Sequence, residues 1–164
     1  KLILSHAWIT KDNINQIFKD NGFTGQIDLL SIDIDGNDYW LWDAINVVQP
    51  RVVVIEYNAS FGAVESVTSK YNDFYDRFAL EHNGYIHGAS LAALTKLAHK
   101  KGYDLLYCEK MGVNAFFVQN KYRNNFGRIS TSDLFQTHKR RDSRHTLAKQ
   151  ESIALSKEFI DYVD

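Results

Sequence analysis

Ile27-Asp28-Leu29-Leu30-Ser31-Ile32-Asp33-Ile34-Asp35-Gly36-Asn37-Asp38-Tyr39-Trp40 is the stretch whose reading decides the fold. Residues 27–33 form a short apolar run without clean alternation, the pattern of a strand covered on both faces of a parallel sheet. Asp33, Asp35 and Asp38 then crowd around Gly36, where the strand must stop and a helix begin. Ligands of open α/β sheets bind at the carboxyl ends of strands, which gives acids at this point a chemical use. A second run of the same kind, Arg51–Asn58 (RVVVIEYN), also ends in a carboxylate and an amide. Two neighbouring strands thus deliver Asp33, Asp35, Glu56 and Asn58 to one edge.

Outward from these runs the chain alternates. Thr10 caps a helix expected over 11–21, where Ile14, Ile17 and Phe18 recur at helical spacing before Asn21-Gly22. The strand at 27–33 leads into a helix over 38–48, which the single proline, Pro50, separates from the strand at 51–57. Residues 58–87 are long for a connection in a compact domain, which marks them as functional; a short helix is expected inside them at 72–81. Gly88-Ala89-Ser90 opens a helix to about Lys101, closed by Gly102. Residues 103–108 and 113–119 read as a hairpin. A basic segment follows, with eight Lys or Arg against two Asp over 121–149, and a last amphipathic helix is expected over 147–162. The order predicts an α/β layer protein with a mostly parallel sheet ending in an antiparallel strand, in two parts, 1–120 and 121–164.

Composition narrows the function. A 45% apolar and 24% charged chain of 164 residues is an ordinary globular domain with room for a core. A net charge of −1 argues against a dedicated nucleic-acid binder, and the cluster His138-Lys139-Arg140-Arg141 reads as a solvated surface. The single cysteine, Cys108, excludes an internal disulfide and fits a reducing, cytoplasmic setting. No run approaches the ~18 apolar residues of a membrane span.

The runs Ile27–Trp40 (IDLLSIDIDGNDYW), Arg51–Ala59 (RVVVIEYNA), Gly88–Leu94 (GASLAAL) and Gly112–Val118 (GVNAFFV) resemble, in content and order, the second half of an S-adenosylmethionine-dependent methyltransferase of the FkbM type. The resemblance implies a Rossmann-like seven-stranded sheet whose last strand is antiparallel, with the four strand runs of this chain as its fourth to seventh. It also implies S-adenosylmethionine as cofactor. The family's glycine-rich cofactor turn has no counterpart, since no G-x-G pair occurs among the nine glycines. The chain is therefore expected to be the carboxyl part of such a domain, pairing with a missing amino-terminal part or with itself.

On this reading Asp33 and Asp35 are the expected catalytic and cofactor-side residues. Two close carboxylates push one pKa upward, which suits a base for a hydroxyl acceptor on a small molecule or sugar. Glu56, Asn58, Tyr85, His87 and Ser90 are assigned to acceptor binding. Ser90 has a second reading as helix N-cap, and Asn37 is the expected cap of the helix at 38. A divalent ion among the acids is an alternative, but no histidine stands in register and no metal ligands are assigned. The competing class is a non-catalytic binding or assembly module.

Overall fold

The computed structural model describes residues 2–79, 84–127 and 130–164. Its elements run α1 (Ile14–Asp20), β1 (Gly25–Ile32), α2 (Asp38–Ala44), β2 (Val48–Glu56), a 3-10 turn at Ala59–Phe61, β3 (Val67–Ser69), α3 (Leu91–Lys101), β4 (Tyr103–Cys108) and β5 (Asn114–Gln119). A 3-10 segment at Asn120–Asn125, single turns α4 (Thr131–Leu134) and α5 (Lys139–Asp142), then α6 (Leu147–Ala154) and β6 (Ile160–Tyr162) complete it.

Four strands form a mixed sheet in the order β1-β2-β5-β4. β1 and β2 are parallel, and β5 is antiparallel to both β2 and β4. Three strands therefore share a direction, and the last strand of the sheet is inserted against it. The fold is α/β, as the alternation of elements predicts.

Register explains which face is buried. Leu30 lies opposite Val53, Ile32 opposite Ile55, and Val53 and Ile55 opposite Phe117 and Ala115. These residues share one core with Leu41 and Trp42 of α2, Ile45 at its C-cap, and Leu91, Leu94 and Leu97 of α3. The alternate residues face the other way, and there Leu29 is 57% and Tyr107 44% exposed. The expectation that residues 27–33 are buried on both faces is thus corrected. β1 is an edge strand covered by helices on one side only, and its burial alternates from Leu29 to Ile32.

Other expectations shift for identifiable reasons. Pro50 does not divide helix from strand but lies inside β2. Its carbonyl accepts the Tyr103 hydroxyl at 2.8 Å, and the β5 ladder begins only at Val52, so the missing N–H interrupts no pairing there. No helix forms over 72–79, which is turns and extended chain; residues 80 and 81 of that expected helix lie outside the described residues. The expected helix at 147–162 ends at Ala154, and Ile160–Tyr162 pairs antiparallel with β3. Leu134 and Phe135 join the main core, while Ala154 and Ile160 form a second cluster with Phe61, Val67 and Ile86. Residues after 120 are therefore built into the domain's packing.

Candidate functional site

The turn after β1 is held by an acid the sequence reading passed over. Asp38, the first residue of α2, is fully buried, and its two carboxylate oxygens accept the N–H groups of Ile34 at 3.1 Å and Gly36 at 3.0 Å. Burial, the largest influence, pushes its pKa up to about 6 against these hydrogen bonds. Asn37 makes no capping bond; its Nδ2 donates instead to the Asn72 carbonyl at 2.8 Å. Between them Asp35 adopts a left-handed φ of 59°, uncommon for a residue with a side chain. Gly36 is required for a different reason. A Cβ there would sit 2.2 Å from the Tyr75 ring, so the aromatic occupies the space a side chain would need.

This clamp sets the two predicted acids apart. Asp35 is ion-paired with Arg77. Asp33 is exposed at the strand end and has no hydrogen-bond partner among the described residues. Partial burial, then the charges of Glu56 and Asp35, raise its pKa, while Arg77 opposes them. The Asp33–Asp35 repulsion expected from sequence contributes to that rise, behind burial and Glu56.

At the end of β2, Asn58 is a structural centre. Its Nδ2 donates to the carbonyls of Tyr85 at 2.7 Å and His87 at 3.0 Å, and its Oδ1 accepts Ser60 N–H at 3.0 Å and Arg141 Nη1 at 2.8 Å. With 1% exposure and its bonds taken by the chain, it holds the 85–87 segment against the sheet. Ser90 is the N-cap of α3: its hydroxyl accepts Ala93 N–H and Val67 N–H, both at 3.1 Å, inside the core. Asn58 and Ser90, both assigned to acceptor binding, therefore build the site from behind. Tyr85 is buried with its ring under the Arg141 guanidinium, 5.2 Å away.

His87 is 1% exposed and lies between Asn58 and Glu56, its Nε2 3.6 Å from Glu56 Oε1. Burial, then Arg141 and Arg77, hold its pKa well below the ordinary value, so the ring is neutral. Its Nδ1 lies 3.2 Å from the Asn58 amide nitrogen. Glu56 itself is raised by burial, with Arg77, Arg141 and His138 pulling the other way.

Three cationic or imidazole side chains complete the group, and none was legible as a site residue. Arg77 comes from the long connection, His138 and Arg141 from the basic segment. Arg141 donates to Asn58 Oδ1, to Ser60 Oγ at 2.9 Å and to the Gly84 carbonyl at 3.3 Å, and burial lowers its pKa to about 10. The reading of 138–141 as wholly solvated surface is corrected for Arg141, whose neighbours Lys139 and Arg140 do stay exposed. A concavity of about 330 Å³ adjoins the edge, lined by Tyr71, Phe74, Tyr75, Asp76, Glu158 and Phe159 among others.

Chemically, the edge offers one carboxylate without a hydrogen-bond partner whose pKa is raised, a histidine against a second carboxylate, and two half-buried guanidiniums. Among the described residues no three His, Cys, Asp or Glu are grouped to hold a metal ion, and no helix is long and apolar enough to cross a membrane. No protein-family model, curated protein or solved structure matches the chain.

Proposed function

We propose that this chain is the acceptor-side part of an S-adenosylmethionine-dependent methyltransferase acting on a hydroxyl of a small molecule or sugar. The observation that carries the proposal is the sheet: three strands running together, the last one antiparallel between β2 and β4, and Asp33 and Glu56 at the adjoining carboxyl ends of the parallel pair. That arrangement agrees with what the sequence resemblance implies for the fourth to seventh strands of such a domain.

The described residues make no cradle for S-adenosylmethionine. At the acidic edge Gly36 has the Tyr75 ring against it rather than open space, and Gly88, hydrogen-bonded to the Gly36 carbonyl, lies beside the Asp38 carboxylate. The cofactor enters the proposal through the resemblance, and what this chain supplies is the acceptor side. There Asp33 is the better base of the two predicted acids, because Asp35 is engaged by Arg77 and Asp33 is not hydrogen-bonded. It would accept the proton of the acceptor hydroxyl, and the fixed turn behind it would orient that oxygen. Positioning of this kind supplies much of the acceleration in group transfer.

One observation favours the module reading. β1 leaves its outer edge unpaired in the sheet, and Leu29 is exposed on the uncovered face beside it. An open apolar edge is a surface for pairing. Calorimetric titration of S-adenosylhomocysteine into the protein expressed from its complete reading frame separates the two. Micromolar binding is expected; a demonstrably folded protein that binds nothing would remove the methyltransferase reading and leave the module.

A further inference from the structure

Trp8 is 62% exposed and yet fixed. Its Nε1 donates to the Asp73 carbonyl at 2.8 Å, and its ring lies against that of Phe74, itself 77% exposed, with centroids 5.9 Å apart. Adjoining exposed rings held in place mark a contact surface. Beside Trp8 lies a cavity of about 180 Å³, walled by Trp8, Ile9, Ile34 and Tyr75 together with Asn37 and Asp73. It adjoins the acidic turn, since Ile34 and Asn37 bracket Asp35 and Gly36, and the Tyr75 ring in its wall is the one packed on Gly36.

Size and polarity define the occupant. An apolar cavity of about 150 Å³ holds a benzene ring, whereas sites for drug-sized ligands begin near about 300 Å³, so a single six-membered ring is the fit. The donors in the wall are directed at the chain. Trp8 Nε1 is on the Asp73 carbonyl, Asn37 Nδ2 on the Asn72 carbonyl at 2.8 Å, and the Tyr75 hydroxyl on the Ile86 carbonyl at 2.7 Å. The acceptors keep capacity. Asn37 Oδ1 receives the Asn72 N–H at the long distance of 3.5 Å, and the Tyr71 hydroxyl takes one of the lone pairs of the Asp73 carboxylate. A sugar needs donors as well as acceptors around its rim, and this wall spends its donors elsewhere. A ring bearing a carboxylate or phosphate is repelled by Asp73. A planar ring carrying an O–H or N–H can use the indole face and an acceptor together.

We propose that the cavity between Trp8 and the turn after β1 binds one planar aromatic ring bearing a hydrogen-bond donor, with a phenol as the simplest member of the class. That the phenolic oxygen is the methyl acceptor rests on the function proposed above; the binding site itself does not.

The test is an NMR titration of the full chain that follows the Trp8 indole N–H and the backbone amides of Ile34 and Asn37. The probes are 4-methylphenol, 4-methylanisole, which keeps the ring and lacks the donor, and methyl β-D-glucopyranoside, which has hydroxyls and no planar ring. Saturable shifts are expected with the phenol, about tenfold weaker binding with the anisole, and no shift with the glucopyranoside. Trp8→Ala, at an exposed position, should abolish the shifts at Ile34 and Asn37, and the wild-type titration needs no variant. Absence of a saturable shift with 4-methylphenol in a folded chain overturns the proposal. Equal affinity in a folded Trp8→Ala chain, equal affinity for phenol and anisole, or preference for the glucopyranoside overturns it as well. N-acetyl-L-tyrosinamide separates two sources of such a ring: tighter binding than 4-methylphenol places it on a peptide, weaker binding on a small molecule, and either keeps the site. Phenol binding without S-adenosylhomocysteine binding keeps the site and removes the transfer reading. The converse removes only the site.

Discussion

Asp38→Asn tests whether the clamp behind the acidic edge is the pH-sensitive element of this fold. In the native chain the carboxyl is fully buried and its pKa is raised from 3.8 to about 6. A raised acid pKa means that the folded state holds the proton more tightly than the unfolded one. The stabilisation is therefore complete below the unfolded pKa and is lost as pH rises through the folded value. Two units correspond to about 3 kcal/mol, of which about 2 kcal/mol falls between pH 4.5 and 7.5. Asparagine cannot ionise, so this portion of the pH slope should vanish in the variant. Its absolute stability will also fall. An amide presents only one acceptor, and one of the Ile34 and Gly36 N–H groups will lose its partner at about 1–3 kcal/mol. The assay is urea unfolding across that pH range, followed by tryptophan fluorescence, for which buried Trp42 is a reporter. Comparing the wild-type and variant curves point by point cancels the slopes due to Glu56 and Asp33, whose pKa values are raised in the same direction. Parallel curves would falsify the claim that Asp38 titrates in the fold.

Four further substitutions test other parts of the structure. Arg141→Met removes the donors that reach Asn58, Ser60 and Gly84, and should cost about 2–4 kcal/mol in chemical denaturation, with faster amide exchange at 84–88; a loss below about 0.5 kcal/mol would make Arg141 a surface residue after all. Gly112→Ala should lower stability by more than about 2 kcal/mol and expose 130–137 to protease, since its φ is +72° and the new Cβ would lie 2.2 Å from the Thr137 backbone carbonyl. Gly62→Ala, where the obstacle is the movable Glu151 carboxylate, should cost about 1 kcal/mol, and equal losses would refute the distinction. Leu29→Lys puts a charge on the exposed face of the open edge strand, so sedimentation should show less self-association at unchanged melting temperature; unchanged association would place any interface elsewhere.

The parts legible in the sequence are those whose signals are local. α3 was readable because its cap, periodicity and stop lie within fifteen residues: Ser90 accepts Ala93 N–H, the apolar face follows, and Gly102 turns left-handed. β4 and β5 were readable as a hairpin from their spacing. Pro50 misled because a proline's meaning in a strand depends on which side is paired, and that is settled by where β5 arrives from sixty residues away. The end of α6 misled for the same reason. Residues 155–162 carry apolar spacing compatible with a helix, and only the free edge of β3 makes extended backbone the better state for 160–162.

The candidate site divides along the same line, and the division has a cause. Asp33 and Glu56 were visible because a strand's end is a local event and its carboxyl edge has a known use. Arg77, His138 and Arg141 were invisible because nothing near them in sequence distinguishes a buried cation from a solvated one. In the basic run, α5 is a single turn, and one turn suffices to send Arg141 inward while Lys139 and Arg140 stay in water. The sequence signal for the buried arginine lies instead at its partners. Asn58 and Ser60 follow directly on a strand covered by helices, where polar side chains are costly unless a donor reaches them. The glutamine at 150 carries the same mark, since it is fully buried and accepts the Ser60 hydroxyl at 2.9 Å. A cluster of neutral polar residues at a buried strand end therefore requires donors from elsewhere in the chain, and the basic segment supplies one in Arg141.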